Sequence, residues 1–317
     1  MEGILENRFP NYLKVDLDKV HFQLEADIIV KKDEVARPFS VGLMSRSLNA
    51  VGMDIDSSVK FASDVRDFLL QNNIHEISTD ELNNKVKKIL QQKSLTKIAE
   101  RFRKYREIKT ANKPIIIFVG GATGSGKSTL ATEIAHRLRI NRIISTDAIR
   151  SIMRSMISPD LLPSIHKSSF EVWQAHPFSF SANVDQVLSS FVDQATKISV
   201  AVKALVDRAI KENLHVILEG VHLLPGIYDA FISSKDIYFT HIFVGVENEE
   251  EHRLRFIKRG NSSINRPGQR YLDNFEAIRK LQSFVLDEAN KFNLKIFKDK
   301  NFFELSNNAI GYILDQW

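Results

Sequence analysis

The sequence predicts an α/β protein in which helices flank a parallel sheet, preceded by a small, mainly helical module. From Lys113 onward, short β-branched runs alternate with helical patterns, which is typical of parallel strands joined by crossover helices. A glycine-rich segment, Gly120–Thr129, lies between the first of these strands and a helix. Residues 27–92 carry mostly helical patterns, so the chain divides into two parts.

Composition limits the chemistry. The 317 residues include no cysteine, and 44 Lys and Arg oppose 39 Asp and Glu, for a net charge of +5. The absence of cysteine excludes disulfides, thiolate chemistry and cysteine-ligated metal sites. The mild positive charge suits a protein that handles anionic small molecules. The N-terminus does not resemble a signal peptide and no apolar run is long enough to cross a bilayer, so we expect a cytoplasmic protein without a membrane partner.

The module at residues 27–92 begins with a β-branched run at Asp27–Lys31, which predicts a strand. Three helical patterns follow, each introduced by a residue that favours a helix N-terminus. The predicted helix starts are Ser40, after a turn at Arg37–Ser40, then Asp56, then Ser78. Gly52 is expected to end the first of these helices.

Two segments flank this module. Residues 1–26 have weak periodicity and are interpreted as an N-terminal arm. Residues 93–112 are rich in charge and helical in pattern, and we interpret them as a charged helical linker with a solvated face, with a nucleic-acid contact as the alternative. Phe102 and Tyr105 lie three residues apart, which is helical packing spacing rather than a base-stacking platform.

Residues 113–317 form the predicted α/β domain. Its strand patterns are Ile115–Val119, Arg142–Ser145, Val216–Leu218 and Thr240–Val246. Its helical patterns are Ser128–Leu138, much of 147–212, Glu249–Lys258 and Tyr271–Phe292, and the pattern stays helical beyond about Asn274.

The glycine-rich segment matches G-x-x-x-x-G-K-S from Gly121 to Ser128, and this motif indicates a P-loop because a strand precedes it and a helix follows. Its glycines let successive N–H groups point inward, and the helix adds its positive N-terminal end, so a nucleoside triphosphate is the expected ligand. We expect Lys127 to reach the β- and γ-phosphates of ATP and the Ser128 hydroxyl to ligate Mg²⁺. The predicted ATP-binding residues are Gly121, Ala122, Thr123, Gly124, Ser125, Gly126, Lys127, Ser128 and Thr129.

Two carboxylates follow strand patterns, where ligands of parallel sheets bind. Asp147 follows the second strand pattern, and Glu219 follows the third and precedes Gly220. Either could orient Mg²⁺ or the attacking hydroxyl in phosphoryl transfer. The alternatives are a helix N-cap for Asp147 and a solvent-exposed charge for Glu219. With Lys127 they are the predicted catalytic residues, and the sequence does not separate the roles of the two carboxylates.

Basic side chains near these carboxylates are expected to bind phosphate groups. Arg150 follows Asp147 at helical spacing, and a basic helix further along the chain could act as a mobile lid or present a solvated face. No histidine spacing matches a metal site, but His222 lies three residues after Glu219. The predicted substrate-binding residues are Arg150, Arg154, His166, His222, Arg255 and Arg259.

Four segments carry a family resemblance. GGATGSGKST, ISTDAIR, SIHKSSFEVW and LEGVHLLPG, in this order, resemble the archaeal 2-phosphoglycerate kinase family over about residues 113–270. Residues 27–92 resemble an ATP-cone, a small nucleotide-binding domain that such kinases carry, through the VKKD start and the RPFS segment followed by helices. There Lys31 and Lys32 would contact nucleotide phosphates, or would only belong to a surface strand.

The resemblance implies a P-loop kinase that transfers the γ-phosphoryl group of ATP to the C3 hydroxyl of 2-phosphoglycerate, giving 2,3-bisphosphoglycerate. An archaeal mevalonate 3-phosphate 5-kinase and plant proteins linked to phytate look similar, so another phosphorylated metabolite is an alternative acceptor. A nucleotide-sensing regulator without an acceptor is a second alternative, against which the SIHKSSFEVW and EGVHLLPG segments argue. Nucleic-acid processing would need a basic or aromatic surface that this sequence does not display. The sequence does not indicate an oligomeric state.

Overall fold

A computed structural model describes residues 27–175, 185–228, 236–262, 268–298 and 301–317, with the backbone alone described for 259–262. The predicted N-terminal arm therefore lies outside the described residues. No helix in the described ranges is long and apolar enough to span a bilayer.

The N-terminal domain packs helices against a small sheet. Its elements are β1 Ile29–Lys32, β2 Val35–Pro38, α1 Val41–Asn49, α2 Ile55–Gln71, β3 Glu76–Ser78 and α3 Thr79–Gln92. The strand order is β2-β1-β3, with β2 antiparallel and β3 parallel to β1. The mainly helical prediction is confirmed, but β2 and β3 were not predicted.

Helix starts in this domain follow from side-chain caps. Ser40 Oγ accepts a hydrogen bond from the Leu43 amide, and Ser78 forms a reciprocal capping box, so both predicted starts are confirmed. The predicted start at Asp56 is wrong by two positions, because the Asp54 carboxylate caps α2. The predicted turn at Arg37–Ser40 is also wrong in its first half. Pro38 ends β2, an edge strand, where a missing N–H donor costs little.

Helix α4 (Thr96–Thr110) covers most of the predicted linker. The prediction that this helix is solvated is correct for one face only. One face is buried, with Ala99, Phe102, Tyr105 and Ile108 at helical spacing. A single apolar cluster runs from the N-terminal domain through this face into the α/β domain. We call it the shared core. It makes α4 part of the packed interior rather than a tether, while the domain limits themselves stay predictions.

Among the described residues, the α/β domain has a sheet of five strands, all parallel, in the order β5-β6-β4-β7-β8. Its strands are β4 Ile115–Gly120, β5 Ile143–Ser145, β6 Val216–Gly220, β7 Tyr238–Val244 and β8 Lys295–Phe297. Its helices are α5 Lys127–Leu138, α6 Thr146–Met156, α7 Gln186–Lys211, α8 Glu249–Ser262, α9 Gly268–Asp273, α10 Phe275–Lys291 and α11 Phe302–Gln316, with short 3-10 turns at Pro163–His166 and Val172–Ala175. The predicted fold class is confirmed, and β8 is a strand that the sequence pattern did not reveal.

Central strand β4 explains the layering. It is buried along its whole length, with Ile115, Ile117 and Val119 in the shared core and Ile116 and Phe118 in a second apolar cluster on the opposite face. Side chains of successive strand residues point to opposite faces, so a strand covered on both sides becomes a continuous apolar run. This packing fixes the carboxyl end of β4, from which the P-loop extends.

Candidate active site

The P-loop joins β4 to α5 through a backbone that requires glycine. Gly121 has φ +145° and Gly124 has φ +80°, conformations that residues with a side chain rarely adopt. A Cβ atom on Gly121 would lie 2.4 Å from the Val244 carbonyl oxygen, and one on Gly124 would lie 2.6 Å from Cζ of Phe256. The loop therefore keeps its shape only with glycine at both positions, and α5 begins at Lys127 with its free N–H groups next to the loop.

Glu219 lies next to the P-loop at the carboxyl ends of the strands, because β6 is the neighbour of β4 and Val119 is paired with Glu219. The Ser128 hydroxyl donates a hydrogen bond of 3.0 Å to Glu219 Oε1. Lys127 Nζ lies 3.8 Å from Glu219 Oε2, and the two side chains are only 13% and 10% exposed. These three residues form what we call the P-loop cluster, and they place one positive charge, one negative charge and one hydroxyl together.

The P-loop cluster fits Mg²⁺. Glu219 Oε2 is buried and has no hydrogen-bond partner among the described residues. A carboxylate oxygen left free next to a hydroxyl is a hard oxygen donor set, and Mg²⁺ commonly takes only one or two protein ligands together with substrate phosphates. Within the described ranges, no group of three or more His, Cys, Asp or Glu side chains is suitable for a metal.

Asp147 lies in the first turn of α6, directly after β5, and so at the same carboxyl end of the parallel strands. The alternative N-cap role is wrong, because the Ser145 hydroxyl accepts the hydrogen bond from the Ala148 amide. The Asp147 side chain is 65% exposed, with Oδ1 3.5 Å from Nε of Arg150. Desolvation acts to raise the pKa of Asp147, but attraction to His222, which is protonated at the acidic pH where Asp147 titrates, and to the charges of Arg150 and Lys127 outweighs it and lowers that pKa. Asp147 therefore offers an ionised, accessible carboxylate.

His222 is enclosed rather than open to the site. It is fully buried, with Nδ1 2.8 Å from the Thr146 hydroxyl and Nε2 3.0 Å from Gln194 Oε1. The amide nitrogen of Gln194 donates to the carbonyls of Ser164 and Lys167, so the amide oxygen accepts a hydrogen bond from the N–H at His222 Nε2. Burial lowers the pKa of His222 to about 4, which keeps the ring neutral at physiological pH. We call Thr146, His222 and Gln194 the buried relay.

The predicted phosphate-binding side chains of α6 have different surroundings. Arg150 donates hydrogen bonds to the carbonyls of Ile165 and Lys167, at 3.1 and 3.0 Å, and so holds the 3-10 segment against α6. Arg154 is exposed one turn further along. His166 is half-buried, with Nε2 2.9 Å from the Ile157 carbonyl oxygen. The structure thus brings Arg150 beside Asp147 at the carboxyl end of the strands, whereas His166 contacts the end of α6.

Arg255 extends from α8 onto the P-loop. Its guanidinium donates to the Ser125 carbonyl at 3.0 Å and to Glu251 at 2.6 Å. A cavity of about 320 Å³ opens beside it. The cavity is lined by Gly124, Ser125, Gly126, Thr129, Arg255, Phe302 and Leu305. The Arg259 side chain lies outside the described residues.

Sequence reasoning missed three residues that support the site. His252 is fully buried, and its Nε2 donates to the Thr123 carbonyl in the P-loop at 2.8 Å. Thr146 and Gln194 belong to the buried relay. None of them has a local sequence signal, because each acts on a segment far away along the chain.

Two family models match the chain. The model described as ATP cone domain matches residues 27–111, and the model described as Zeta toxin matches residues 98–298. Most of α4 falls within both matches. This overlap agrees with the position of α4 in the shared core.

Curated relatives are similar over nearly their whole length. The 2-phosphoglycerate kinase of Methanopyrus kandleri is 35% identical over 290 residues, which is 90% of this chain and 86% of that relative. The 2-phosphoglycerate kinase of Methanocaldococcus jannaschii is 32% identical over 294 residues, covering 92% and 93%. That of Pyrococcus horikoshii is 32% identical over 272 residues, covering 86% and 88%. Given these similarities and the P-loop cluster, the chain belongs to the 2-phosphoglycerate kinase family and is an ATP-dependent P-loop kinase.

Proposed function

We propose that this kinase transfers the γ-phosphoryl group of ATP to the C3 hydroxyl of 2-phosphoglycerate, giving ADP and 2,3-bisphosphoglycerate. The observation that carries the chemistry is the P-loop cluster, in which Ser128 and Lys127 both face Glu219 at the end of β6. The acceptor is supported by the names of the curated relatives, each a 2-phosphoglycerate kinase.

In this proposal, different groups of the P-loop and the P-loop cluster bind the phosphates of ATP and the Mg²⁺ ion. The loop N–H groups and the Lys127 ammonium hold the β- and γ-phosphates, and Ser128 and Glu219 would hold Mg²⁺. When bound, Mg²⁺ neutralises charge on the phosphate oxygens during transfer. Arg255 and His252 fix the loop carbonyls from the side of α8, which keeps the N–H groups directed at the phosphates.

Asp147 is the proposed acceptor-side carboxylate. Its exposed, ionised side chain lies at the same carboxyl end of the strands as Glu219, whereas Glu219 is buried against Ser128. The acceptor oxygen forms its bond to the γ-phosphorus as the bond to the β-phosphate bridging oxygen breaks. The hydroxyl proton passes to the Asp147 carboxylate. This division assigns Glu219 to the metal and Asp147 to the acceptor.

An acceptor that already carries a phosphate needs positive charge beside Asp147. Arg154 is exposed and one turn beyond Arg150, so it is the proposed ligand of that phosphate. One terminal nitrogen of the Arg150 guanidinium donates to two backbone carbonyls, so Arg150 is proposed to position the 3-10 segment. His166 and His222 are proposed to position this region rather than to touch the acceptor, because His222 contacts protein atoms through both ring nitrogens and His166 does so through Nε2.

The test is ADP release with Mg²⁺-ATP and a panel of acceptors, namely 2-phosphoglycerate, 3-phosphoglycerate, mevalonate 3-phosphate, an inositol phosphate and none. Strong stimulation by 2-phosphoglycerate alone is the expected result. Stimulation by another compound instead would overturn the acceptor but not the kinase chemistry. Lys127→Ala serves as the inactive control. The cytoplasmic location and the absence of nucleic-acid or membrane partners stay predictions.

We also propose that the N-terminal domain binds a nucleotide of its own. Its match to the ATP cone domain model is one support. The second is a cavity of about 480 Å³, which we call the cone cavity. It is lined by Val30, Lys32, Asp33, Val35, Arg37, Pro38, Phe39, Ser40, Leu43, Met44, Ser47, Thr79, Leu82, Asn83, Arg106 and Arg139. Lys32, one of the two lysines for which the resemblance implies either a phosphate contact or only a surface strand, lines this cavity.

A further inference from the structure

One buried side-chain contact joins the two chain segments that carry the carboxylates of the site. The pairing of β5 with β6 ends at Ser145 and Glu219. Beyond that pair, the next residue of α6, Thr146, reaches His222, with Oγ1 2.8 Å from Nδ1. Both residues are fully buried. Asp147 directly follows Thr146, so this contact lies between the two carboxylates along the chain.

Gly220 brings Thr146 against the end of β6. A Cβ atom on Gly220 would overlap the Thr146 hydroxyl and would lie 2.8 Å from the Thr146 Cβ. The Thr146 side chain therefore packs directly on the Gly220 backbone on one side and is hydrogen-bonded to His222 on the other. A side chain enclosed in this way is held in one rotamer. The start of α6 is thus fixed relative to the end of β6.

Donor and acceptor roles in the buried relay run in one direction. The Gln194 amide nitrogen donates to the carbonyls of Ser164 and Lys167, at 2.6 and 3.0 Å. Its oxygen accepts from the N–H at His222 Nε2, at 3.0 Å. A neutral imidazole carries a single N–H, so Nδ1 is an acceptor and the Thr146 hydroxyl donates to it. Each group of the relay therefore has one role, which a change of side chain would interrupt.

The far end of the buried relay returns to α6. From α7, Gln194 donates to the Lys167 carbonyl, and from α6, Arg150 donates to the same carbonyl at 3.0 Å. The contacts therefore close a ring that leaves α6 at Thr146 and returns to it at Arg150. Asp147 lies between these two points of the helix. Its backbone is thereby fixed relative to the 3-10 segment on which both contacts end.

The Asp147 carboxylate itself has open surroundings. The side chain is 65% exposed, and Oδ1 lies 3.5 Å from Nε of Arg150, which is too long for a well-formed hydrogen bond. Reacting groups must be aligned for transfer, and a misplacement of about 1 Å can lower a rate by about 10²-fold. The contacts of Thr146 are buried and directional, whereas those of the carboxylate are exposed to water.

We infer that Thr146 is a positioning residue for phosphoryl transfer. Through the buried relay, it holds Asp147 at a fixed place relative to Glu219 and to the 3-10 segment. The inference rests on the proposed function, in which Asp147 accepts the hydroxyl proton of the acceptor. An acceptor bound beside the 3-10 segment needs this alignment, whereas water reaches the γ-phosphate in many orientations. Loss of the Thr146 contact should therefore slow transfer to the acceptor more than hydrolysis of ATP.

The test compares Thr146→Val with Thr146→Ser. Valine keeps the branched shape but places a methyl group against Gly220 and leaves His222 Nδ1 without a donor, whereas serine keeps the hydroxyl. We expect valine to lower kcat for acceptor-dependent ADP release by about 10- to 100-fold, with KM for ATP within about twofold, and serine to stay within about threefold in kcat. The ratio of this kcat to the rate of ATP hydrolysis without acceptor should fall in the valine variant alone.

Thr240→Val is the matched control. Thr240 of β7 is also buried, and its hydroxyl has no hydrogen-bond partner in the part of the chain that the structure describes. The same substitution there removes a buried hydroxyl outside the relay and should change neither kcat nor KM. A Thr146→Val enzyme with the kcat of the unmodified chain would overturn the inference. Equal losses in the valine and serine variants, or equal losses of transfer and hydrolysis, would also overturn it.

Nitrogen NMR of the full chain tests the relay independently of activity. Imidazole nitrogens with and without a proton differ in chemical shift, and the His222 signals are identified by their loss in His222→Asn. We expect the proton on Nε2, and an Nδ1 signal that moves in Thr146→Val but not in Thr240→Val. A proton on Nδ1 would reverse the direction of the relay and overturn the inference. No stimulation of ADP release by any acceptor, with the expected Nδ1 signal present, would instead refute the proposed kinase reaction alone.

Discussion

Glu219→Gln is the sharpest perturbation of the P-loop cluster, because it keeps the shape of the side chain and removes one negative charge. Lys127 Nζ lies 3.8 Å from the Glu219 carboxylate, and both side chains are at least 87% buried. At an effective dielectric constant of about 20, the attraction between two unit charges at this distance is about 4 kcal/mol. The variant also replaces an oxygen that would hold Mg²⁺ with an amide group.

The expected result is a fall in kcat of about 10²- to 10³-fold, the range measured when one preorganised electrostatic group is removed from an active site. The assay is ADP release with 2-phosphoglycerate at saturating ATP, repeated over a range of Mg²⁺ concentrations. Because Glu219 is proposed to hold the metal, the variant should also need more Mg²⁺ for half its maximal rate.

The control is Glu212→Gln, which removes an exposed glutamate that pairs with Arg208 at the end of α7. This variant should have the rate and Mg²⁺ requirement of the unmodified chain. A Glu219→Gln enzyme with kcat within twofold of the unmodified chain, and the same Mg²⁺ requirement, would refute the assignment of Glu219. Thermal unfolding of each variant confirms that differences in rate do not come from misfolding.

Four further outcomes are expected. Lys127→Ala should abolish phosphoryl transfer, and measurable ADP release above background would contradict its role. Arg154→Ala should raise KM for the acceptor more than KM for ATP, and equal increases would remove it from the acceptor site. Gln194→Leu leaves His222 Nε2 and the Ser164 carbonyl without a partner, whereas the Lys167 carbonyl keeps its hydrogen bond from Arg150. Urea denaturation should therefore show a loss of about 1–3 kcal/mol per unpaired group, and an unchanged midpoint would contradict the buried relay. Burial lowers the pKa of His222 to about 4 in the folded chain, against about 6.5 in the unfolded chain. The neutral ring therefore contributes about 3 kcal/mol to the free energy of unfolding above pH 6.5, and this contribution is lost as the pH falls toward 4. His222→Asn should flatten the dependence of the free energy of unfolding on pH between 6.5 and 4.

The features that were predicted correctly depend on neighbouring residues. The P-loop, its preceding strand and its following helix occupy one continuous segment, Ile115–Leu138, so the pattern contains its own structural context. Ser40 and Ser78 cap helices through amides only three positions away. The same locality explains the error at α2, where Asp54 and Asp56 have equivalent side chains and only the backbone conformation selects the cap.

The features that were missed depend on distant residues or on very short elements. Strands β3 and β8 have three residues each, too few for an alternating pattern to emerge. The hydrogen bond from Thr146 to His222 joins residues 76 positions apart, and that from His222 to Gln194 spans 28 positions. In the sequence, His222 is only a histidine three residues after Glu219. Its burial, which makes it a positioning residue, arises from tertiary packing that no local pattern reports.

The shared core joins the two halves of the molecule, so we expect them to unfold as one cooperative unit. Phe102 and Tyr105 of α4 belong to the same apolar cluster as Ile310 and Leu314 of α11 and Leu130 of α5. Arg101 adds a bidentate ion pair with Asp315, at 3.1 and 2.8 Å, across this junction. A chain shortened to begin at Lys113 would expose that apolar surface to water and would tend to aggregate. Calorimetric melting of the full chain should accordingly show a single heat-absorption peak, and we expect the catalytic half not to fold stably without the domain that precedes it.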